Sequence, residues 1–207
     1  MMAKHEITRA DIMPIAEYGK IRRAHRRELI TRKKHRRLEV GPLATFYFEN
    51  YDTMWSQIHE MLWIEKGGEE QVADELDAYN PLIPNGRELV ATMMFEIDDP
   101  RRRAQVLSRL GQVEETVTLR IGDETVTAMP ELQDGVERTK EDGKTSSIHF
   151  LHFPLTDAQA AMFRNADTEV ILGVGHENYA HMAVMPKAMR AELSGDLDQE
   201  PDPKRRP

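Results

Sequence analysis

Thr116-Val-Thr-Leu-Arg-Ile-Gly-Asp-Glu-Thr-Val-Thr-Ala-Met129 is the stretch that decides the fold class. Val117, Leu119 and Ile121 alternate with Thr116, Thr118 and Arg120, a period of two that places the apolar side chains on one face of a strand. Gly122-Asp123 is a two-residue turn signal, and Thr125 to Met129 supplies the returning strand of a hairpin.

Upstream the period is 3.6. The helical middle spans 50–110. Asn50 caps a helix whose inner face carries Tyr51, Met54, Trp55, Ile58, Met61 and Leu62, and Gly67-Gly68 ends it. A second helix runs from Glu69 to Tyr79 and stops at Asn80-Pro81. Asn85 with Glu88 reads as the cap of a third, reaching Ile97, and Asp98-Asp99-Pro100 starts a fourth that ends at Leu110-Gly111. Ahead of them lies one short strand, Thr45 to Glu49, preceded by a basic helix over 14–37 with Ile15, Tyr18, Ile21, His25 and Leu29 on one stripe.

Downstream, Pro130 to Lys144 is a polar loop and Thr145 to Phe153 a strand. Thr156 with Gln159 forms a capping box for a helix to Arg164. Strands at Glu169–Gly175 and His181–Met185 and a helix from Pro186 to Leu193 follow. The tail, 194–207, is polar and proline-bearing and reads as disordered. Helices first and hairpin-linked strands afterwards predict an α+β fold. It is expected as a single domain over 1–193, its N-terminal and central helices packed on a mostly antiparallel C-terminal sheet over 113–186.

The 207 residues hold 28 Lys and Arg against 36 Asp and Glu, a net charge of −8. Lys20 to Arg37 contains ten basic residues and one acid, Glu28, so this segment carries +9 and the remainder −17. Two readings follow. The basic face docks on the acidic remainder or a protein partner, or it binds a polyanion such as nucleic acid, in which case Arg22, Arg26 and Lys33 are the first candidate contacts. A chain of net −8 is repelled by a polyanion, which disfavours nucleic acid. Arg87, beside the stiff Asn80-Pro-Leu-Ile-Pro-Asn-Gly86 connector, is a further candidate anion contact.

The absence of cysteine excludes disulfides, thiol catalysis and cysteine-held zinc or iron–sulfur clusters. No apolar run reaches 18 residues and no charged start leads into an apolar segment, so neither a membrane span nor a signal peptide is expected, and the cytoplasm is the default address. Zinc-protease and di-iron helix signatures, dinucleotide-binding glycines and phosphate loops are all missing. His59 and Trp63, four apart and off the apolar stripe of their helix, mark either a second buried face for another helix or a contact between copies.

Histidines offer the main opening for chemistry. If Glu177 to Ala180 is a four-residue hairpin loop, His176 and His181 are directly opposed, and their Cβ atoms lie about 5 Å apart. Two imidazoles so placed could share a transition metal such as zinc or iron, or move a proton between them. A third nitrogen would come from His149 or His152, which point to opposite faces of their strand; strand order decides which one faces His176.

Phe46-Tyr-Phe-Glu-Asn-Tyr51, Asn80-Pro-Leu-Ile-Pro-Asn-Gly-Arg-Glu-Leu89, Phe95-Glu-Ile-Asp-Asp-Pro100, Asp142-Gly-Lys-Thr-Ser-Ser-Ile-His-Phe-Leu-His-Phe-Pro154 and Gly175-His-Glu-Asn-Tyr-Ala-His181 together resemble a bacterial family known as a domain of unknown function, DUF3501. The resemblance spans Ala10 to Leu193. It implies a gene neighbourhood shared with rubrerythrin-like proteins and iron–sulfur oxidoreductases, and hence an accessory role in redox or peroxide metabolism, with such a protein as partner. It supplies no active site. The sequence therefore points to a cytoplasmic binding or accessory protein, holding a metal through His149, His176 and His181; the competing reading is a small metal- or His-dependent enzyme using the same residues.

Overall fold

The computed structural model describes residues 4–131 and 144–198. It is an α+β fold built from two antiparallel sheets. In chain order the main elements are α1 (Ile15–Lys33), β1 (Arg37–Val40), β2 (Ala44–Glu49), α2 (Tyr51–Glu65), α3 (Gly68–Tyr79), β3 (Glu88–Phe95) and α4 (Pro100–Leu107). They continue with β4 (Val117–Ile121), β5 (Glu124–Thr127), β6 (Met129–Pro130), β7 (Ile148–Pro154), α5 (Asp157–Arg164), β8 (Val170–His176), β9 (Tyr179–Val184) and α6 (Lys187–Leu193). The larger sheet runs β1-β2-β3-β7-β6 and the smaller β5-β4-β8-β9.

The sheets face each other across the main core. Phe46, Phe48, Leu89, Met93, Leu151 and Phe153 of the larger meet Val117, Leu119, Ile121, Val170, Leu172 and Val174 of the smaller. The opposite face of the larger sheet, with Val90 and Phe150, receives Met54, Ile58, Leu62 and Val72 of α2 and α3. The layers are therefore helices, sheet, sheet. No helix among the described residues is long and apolar enough to cross a membrane.

Local signals place their elements as read. Asn50 accepts from the Thr53 amide at the start of α2, and Thr156 from the Gln159 amide at the start of α5. The β4–β5 hairpin turns at Gly122-Asp123.

Four expectations change. The third helix, Asn85 to Ile97, is instead β3, the middle strand of the larger sheet between β2 and β7. Both its faces are covered, so Leu89, Val90, Ala91, Thr92 and Met93 are all buried and the alternation that marks a strand is missing. The apparent helix cap is a turn, in which the Arg87 amide donates to Asn85 Oδ1 at 2.8 Å. Second, the basic segment does not stay helical to Arg37: α1 ends at Lys33, and Arg37 opens β1. Gly41, at φ +71, turns β1 into β2 in a conformation that disfavours other residues. Third, the strands are not confined to the C-terminal part, because β1, β2 and β3 form more than half of the larger sheet.

Fourth, the chain stays on the fold through Asp198. Leu197 is 4% exposed, and Asp196 is buried against the guanidinium of Arg36, itself 2% exposed. Arg36 also donates to the carbonyls of Phe48 and Glu49, each at 3.0 Å. The Asp198 carboxylate lies 3.1 Å from His5 Nε2, and the Asp198 amide donates to the Gly86 carbonyl at 3.0 Å. The rest of the expected tail, 199–207, and most of the 130–144 loop lie outside the described residues.

Candidate functional site

Helix α1 is the least buried of the long elements: Tyr18 is its one buried residue. Its inner stripe rests on α2. The Tyr18 hydroxyl donates to Glu60 at 2.8 Å, and Arg22 grips the same carboxylate through Nε at 2.8 Å and a terminal nitrogen at 2.7 Å. Hydrogen bonds from Arg22 hold Glu60 below the usual carboxylate range against the opposing effect of burial. Burial and the neighbouring Glu60 push the Tyr18 phenol up to about 12. Gly19 meets the ring of Trp63 so closely that a Cβ there would lie 2.5 Å from it. His59, buried, and Trp63, half-buried, thus form a second packed face of α2, and α1 is the helix that covers it.

His59, fully buried, completes the seat. Its Nδ1–H donates to the Trp55 carbonyl at 2.7 Å, its Nε2 accepts from the Met13 amide at 3.1 Å, and its ring lies 3.8 Å from that of Trp55. Burial, with a smaller contribution from His25, holds its pKa below the ordinary value, which keeps it neutral.

The opposite stripe of α1 faces out. Arg23, Arg26, Arg27, Ile30 and Lys34 recur at three- and four-residue spacing and all are exposed, Ile30 at 61%. Ion pairs on α1 engage other residues: Lys20 with Glu17, Arg22 with Glu60, Arg32 with Glu28 and Asp52. Among the described residues none reaches the four outer cations. The result is a band of four positive charges around one isoleucine.

Of the other candidate contacts, Lys33 is half-buried. Arg22 is committed to Glu60, and Arg87 to Asp157 at 2.7 Å and the Asp198 carbonyl at 2.8 Å. Only Arg26 of the original four lies on the outer band.

The three histidines named as metal ligands are not brought together. The β8–β9 turn has two residues, Glu177 and Asn178, not four, so His176 pairs with Tyr179 and His181 with Val174. His176 then serves the turn: Nε2–H donates to the Gly111 carbonyl at 3.2 Å and Nδ1 accepts from the Asn178 amide at 3.1 Å. Neither ring nitrogen is left for a metal. His181 stands 4.5 Å from the Tyr179 ring, Tyr179 stacks edge-on to Phe95, and Phe95 to His149, so two aromatic rings separate His181 from His149. His149 is 1% exposed between the sheets, its Nε2 3.0 Å from the Ser146 carbonyl. Among the described residues no group of three or more His, Asp or Glu could hold a metal ion. The residues present do not fit the zinc or iron once expected of them.

His152 faces the helix side, as its strand alternation requires. Nδ1 lies 3.0 Å from Glu88 and Nε2 2.9 Å from Glu131. Burial alone would lower its pKa, but the hydrogen bond and charge of Glu88, joined by Glu131, outweigh it and raise the value. This clasp joins β7 to β3 and to the residue after β6.

The DUF3501 profile, described as a protein of unknown function, matches residues 6–197. The chain belongs to the DUF3501 family. A crystal structure of a novel protein of unknown function from Burkholderia pseudomallei K96243 is similar to it, with 37% sequence identity and a TM-score of 0.84, over 93% of this chain and 99% of that one. Among curated proteins none matches significantly. Family membership therefore carries the fold and no assigned chemistry.

Two clefts among the described residues also lack convergent reactive groups. One of about 340 Å³ is lined by Ile12, Met13, Ile15, Leu62 and Val72, with Arg9 paired to Glu69 beside it. Another, of about 280 Å³, is lined by Arg32, Arg36, Asn50, Asp52 and Glu192, whose charges largely pair with one another. Sequence reasoning missed the His152 clasp and the Arg36–Asp196 pair; their partners are distant in the chain and carry no local signal. It found the basic segment, but periodicity alone did not say which face α2 would occupy.

Proposed function

We propose that the protein is a binding or accessory protein that docks an acidic protein surface on the outer band of α1. The observation that carries this reading is the band itself, Arg23, Arg26, Arg27 and Lys34 around exposed Ile30, without intramolecular ion pairs among the described residues. An isolated charge on a helix is ordinary. Four cations with an apolar residue at their centre, along and just past a helix whose Lys20, Arg22 and Arg32 are paired, fit the mixed charged and apolar character of a protein interface. The net charge of −8 opposes any acidic partner at long range, but a densely charged polyanion far more than the local acidic patch of a protein, which favours a protein partner over nucleic acid.

The resemblance described above suggests a rubrerythrin-like or iron–sulfur redox protein as the partner, which would place the chain in the cytoplasm. The test is calorimetric titration of such a protein, taken from the same organism, with wild type and with the Arg23→Glu, Arg26→Glu, Arg27→Glu triple variant. Binding that weakens as salt rises from about 50 to about 200 mM and disappears in the variant is expected. Binding that survives the triple reversal refutes the docking surface. Tight duplex binding at about 150 mM salt, with a steep salt slope lost in the variant, would replace the acidic protein by nucleic acid.

A further inference from the structure

The two sheets have four edges, and three are guarded. The outward side chains of β1 are Arg37 and Glu39, β5 presents Glu124, Thr125 and Thr127, and β6 is two residues long and ends in Pro130. Charge, polarity, shortness and proline are the usual means by which an edge strand avoids pairing with other chains. The fourth edge, β9, has none of them. It runs Tyr179-Ala-His-Met-Ala-Val184 without a formal charge at neutral imidazole or a proline, and its outward side chains are Ala180, Met182 and Val184, the last two 78% and 58% exposed.

Hydrogen-bond parity sharpens this. The Met185 amide donates to the Val170 carbonyl, and in an antiparallel ladder bonded pairs alternate. Residues 183, 181 and 179 therefore bond to β8, while the N–H and C=O groups of Ala180, Met182 and Val184 point out of the sheet. Among the described residues none of these three makes a backbone hydrogen bond outside the ladder. The residues with apolar side chains exposed are the same ones with outward-facing backbone groups.

We infer that β9 pairs antiparallel with β9 of a second copy of this chain, about a two-fold axis through Met182, joining the two smaller sheets into one of eight strands. The register follows from the pattern. Met182 meets Met182 of the partner, and Ala180 meets Val184, so the smallest side chain opposes a branched one and each outward-facing pair exchanges two backbone hydrogen bonds. An extended segment of the chain's own 199–207 would not serve, because it holds three prolines, Pro201, Pro203 and Pro207, and five charged residues. The uncharged strand is also the part of an acidic surface that two copies of net −8 can bring together with least repulsion. A six-residue edge buries less than the roughly 1,600 Å² of a standard interface, so the association is weak and concentration-dependent.

Sedimentation velocity of the full chain from about 1 to about 300 µM is the test, a range that covers the weak end of specific association. A monomer–dimer transition is expected, strengthened by added salt because screening relieves like-charge repulsion. That sign is the reverse of the one expected at the α1 band, which keeps the two proposals separable. Met182→Lys, at an exposed position, should leave the melting temperature unchanged and abolish the dimer by placing two ammonium groups on the axis. In a chain without cysteine, Met182→Cys should give a disulfide-linked dimer on mild oxidation, while Ala180→Cys, which opposes Val184, should not. A monomer throughout the range, a dimer untouched by Met182→Lys, or equal cross-linking of the two cysteine variants would overturn the inference.

Discussion

Removing the chain beyond Leu193 should come close to unfolding the protein, although the described part of that segment holds only a single 3-10 turn, Ser194–Asp196. The loss can be assembled from two contributions. Leu197 is 4% exposed, and burying a leucine side chain is worth about 1.5–3 kcal/mol. Asp196 is the carboxylate partner of Arg36, whose side chain is only 3% exposed; taking away one member of a buried pair typically costs about 3–5 kcal/mol. Arg36 keeps the carbonyls of Phe48 and Glu49 and a long contact to Glu192, so the lower end applies. The sum, about 5 kcal/mol, is comparable to the whole stability of a marginal domain. Urea unfolding followed by Trp55 and Trp63 fluorescence would measure it. A chain ending at Asp198 should match full length within about 0.5 kcal/mol. Should the shorter chain fail to fold, Asp196→Asn keeps the shape, removes the charge and should still cost about 2–3 kcal/mol. Equal midpoints for full length and the chain ending at Leu193 would refute the docking of this segment.

Stability should fall on both sides of neutrality, for different histidines. His152 has a raised folded pKa, so its contribution is complete below about 6.5 and is lost as pH rises through the folded value; for His59, folded below the ordinary value, stability is lost as pH falls from about 6.5 towards it. His152→Gln should flatten the alkaline limb of the stability–pH curve, and an unchanged limb would contradict the assignment. Gly19→Ala tests the α1–α2 contact by its sign: helix propensity alone predicts a gain of about 1 kcal/mol, whereas the clash with Trp63 predicts a loss of about 1–3 kcal/mol in thermal unfolding. Elemental analysis of untagged protein should give the same metal content for wild type and His176→Ala, and a stoichiometric ion lost in the variant would show that His176 is a ligand after all.

What could be read in the sequence is what neighbours in the chain decide. The β4–β5 turn and the caps at Asn50 and Thr156 were legible because each signal and its partner lie within a few residues. Strand β3 was not, since burial on both sides replaces alternation with a continuous run of Leu, Val, Ala and Met that also suits a helix. The histidine pair failed on a single register decision. The His176 ring accepts from the Asn178 amide and closes a two-residue turn, moving His181 out of opposition. The docked segment after Leu193 was invisible for a different reason: Arg36 and Asp196 stand 160 positions apart, and each alone looks like a solvated charge.

The position of β3 also governs the order in which the molecule can be made. Its first neighbour, β2, is already synthesised when β3 emerges, but its second, β7, begins only at Ile148. At about 5–20 residues per second, a ribosome leaves one side of this apolar strand without its mate for several seconds. In that interval the opposite sheet over Leu89, Ala91 and Met93 is at most the β4–β5 hairpin, since its central strand β8 comes after β7. Nascent chains stalled between α4 and β7 should therefore recruit holdase chaperones, and release from them should coincide with the arrival of Pro154 outside the exit tunnel.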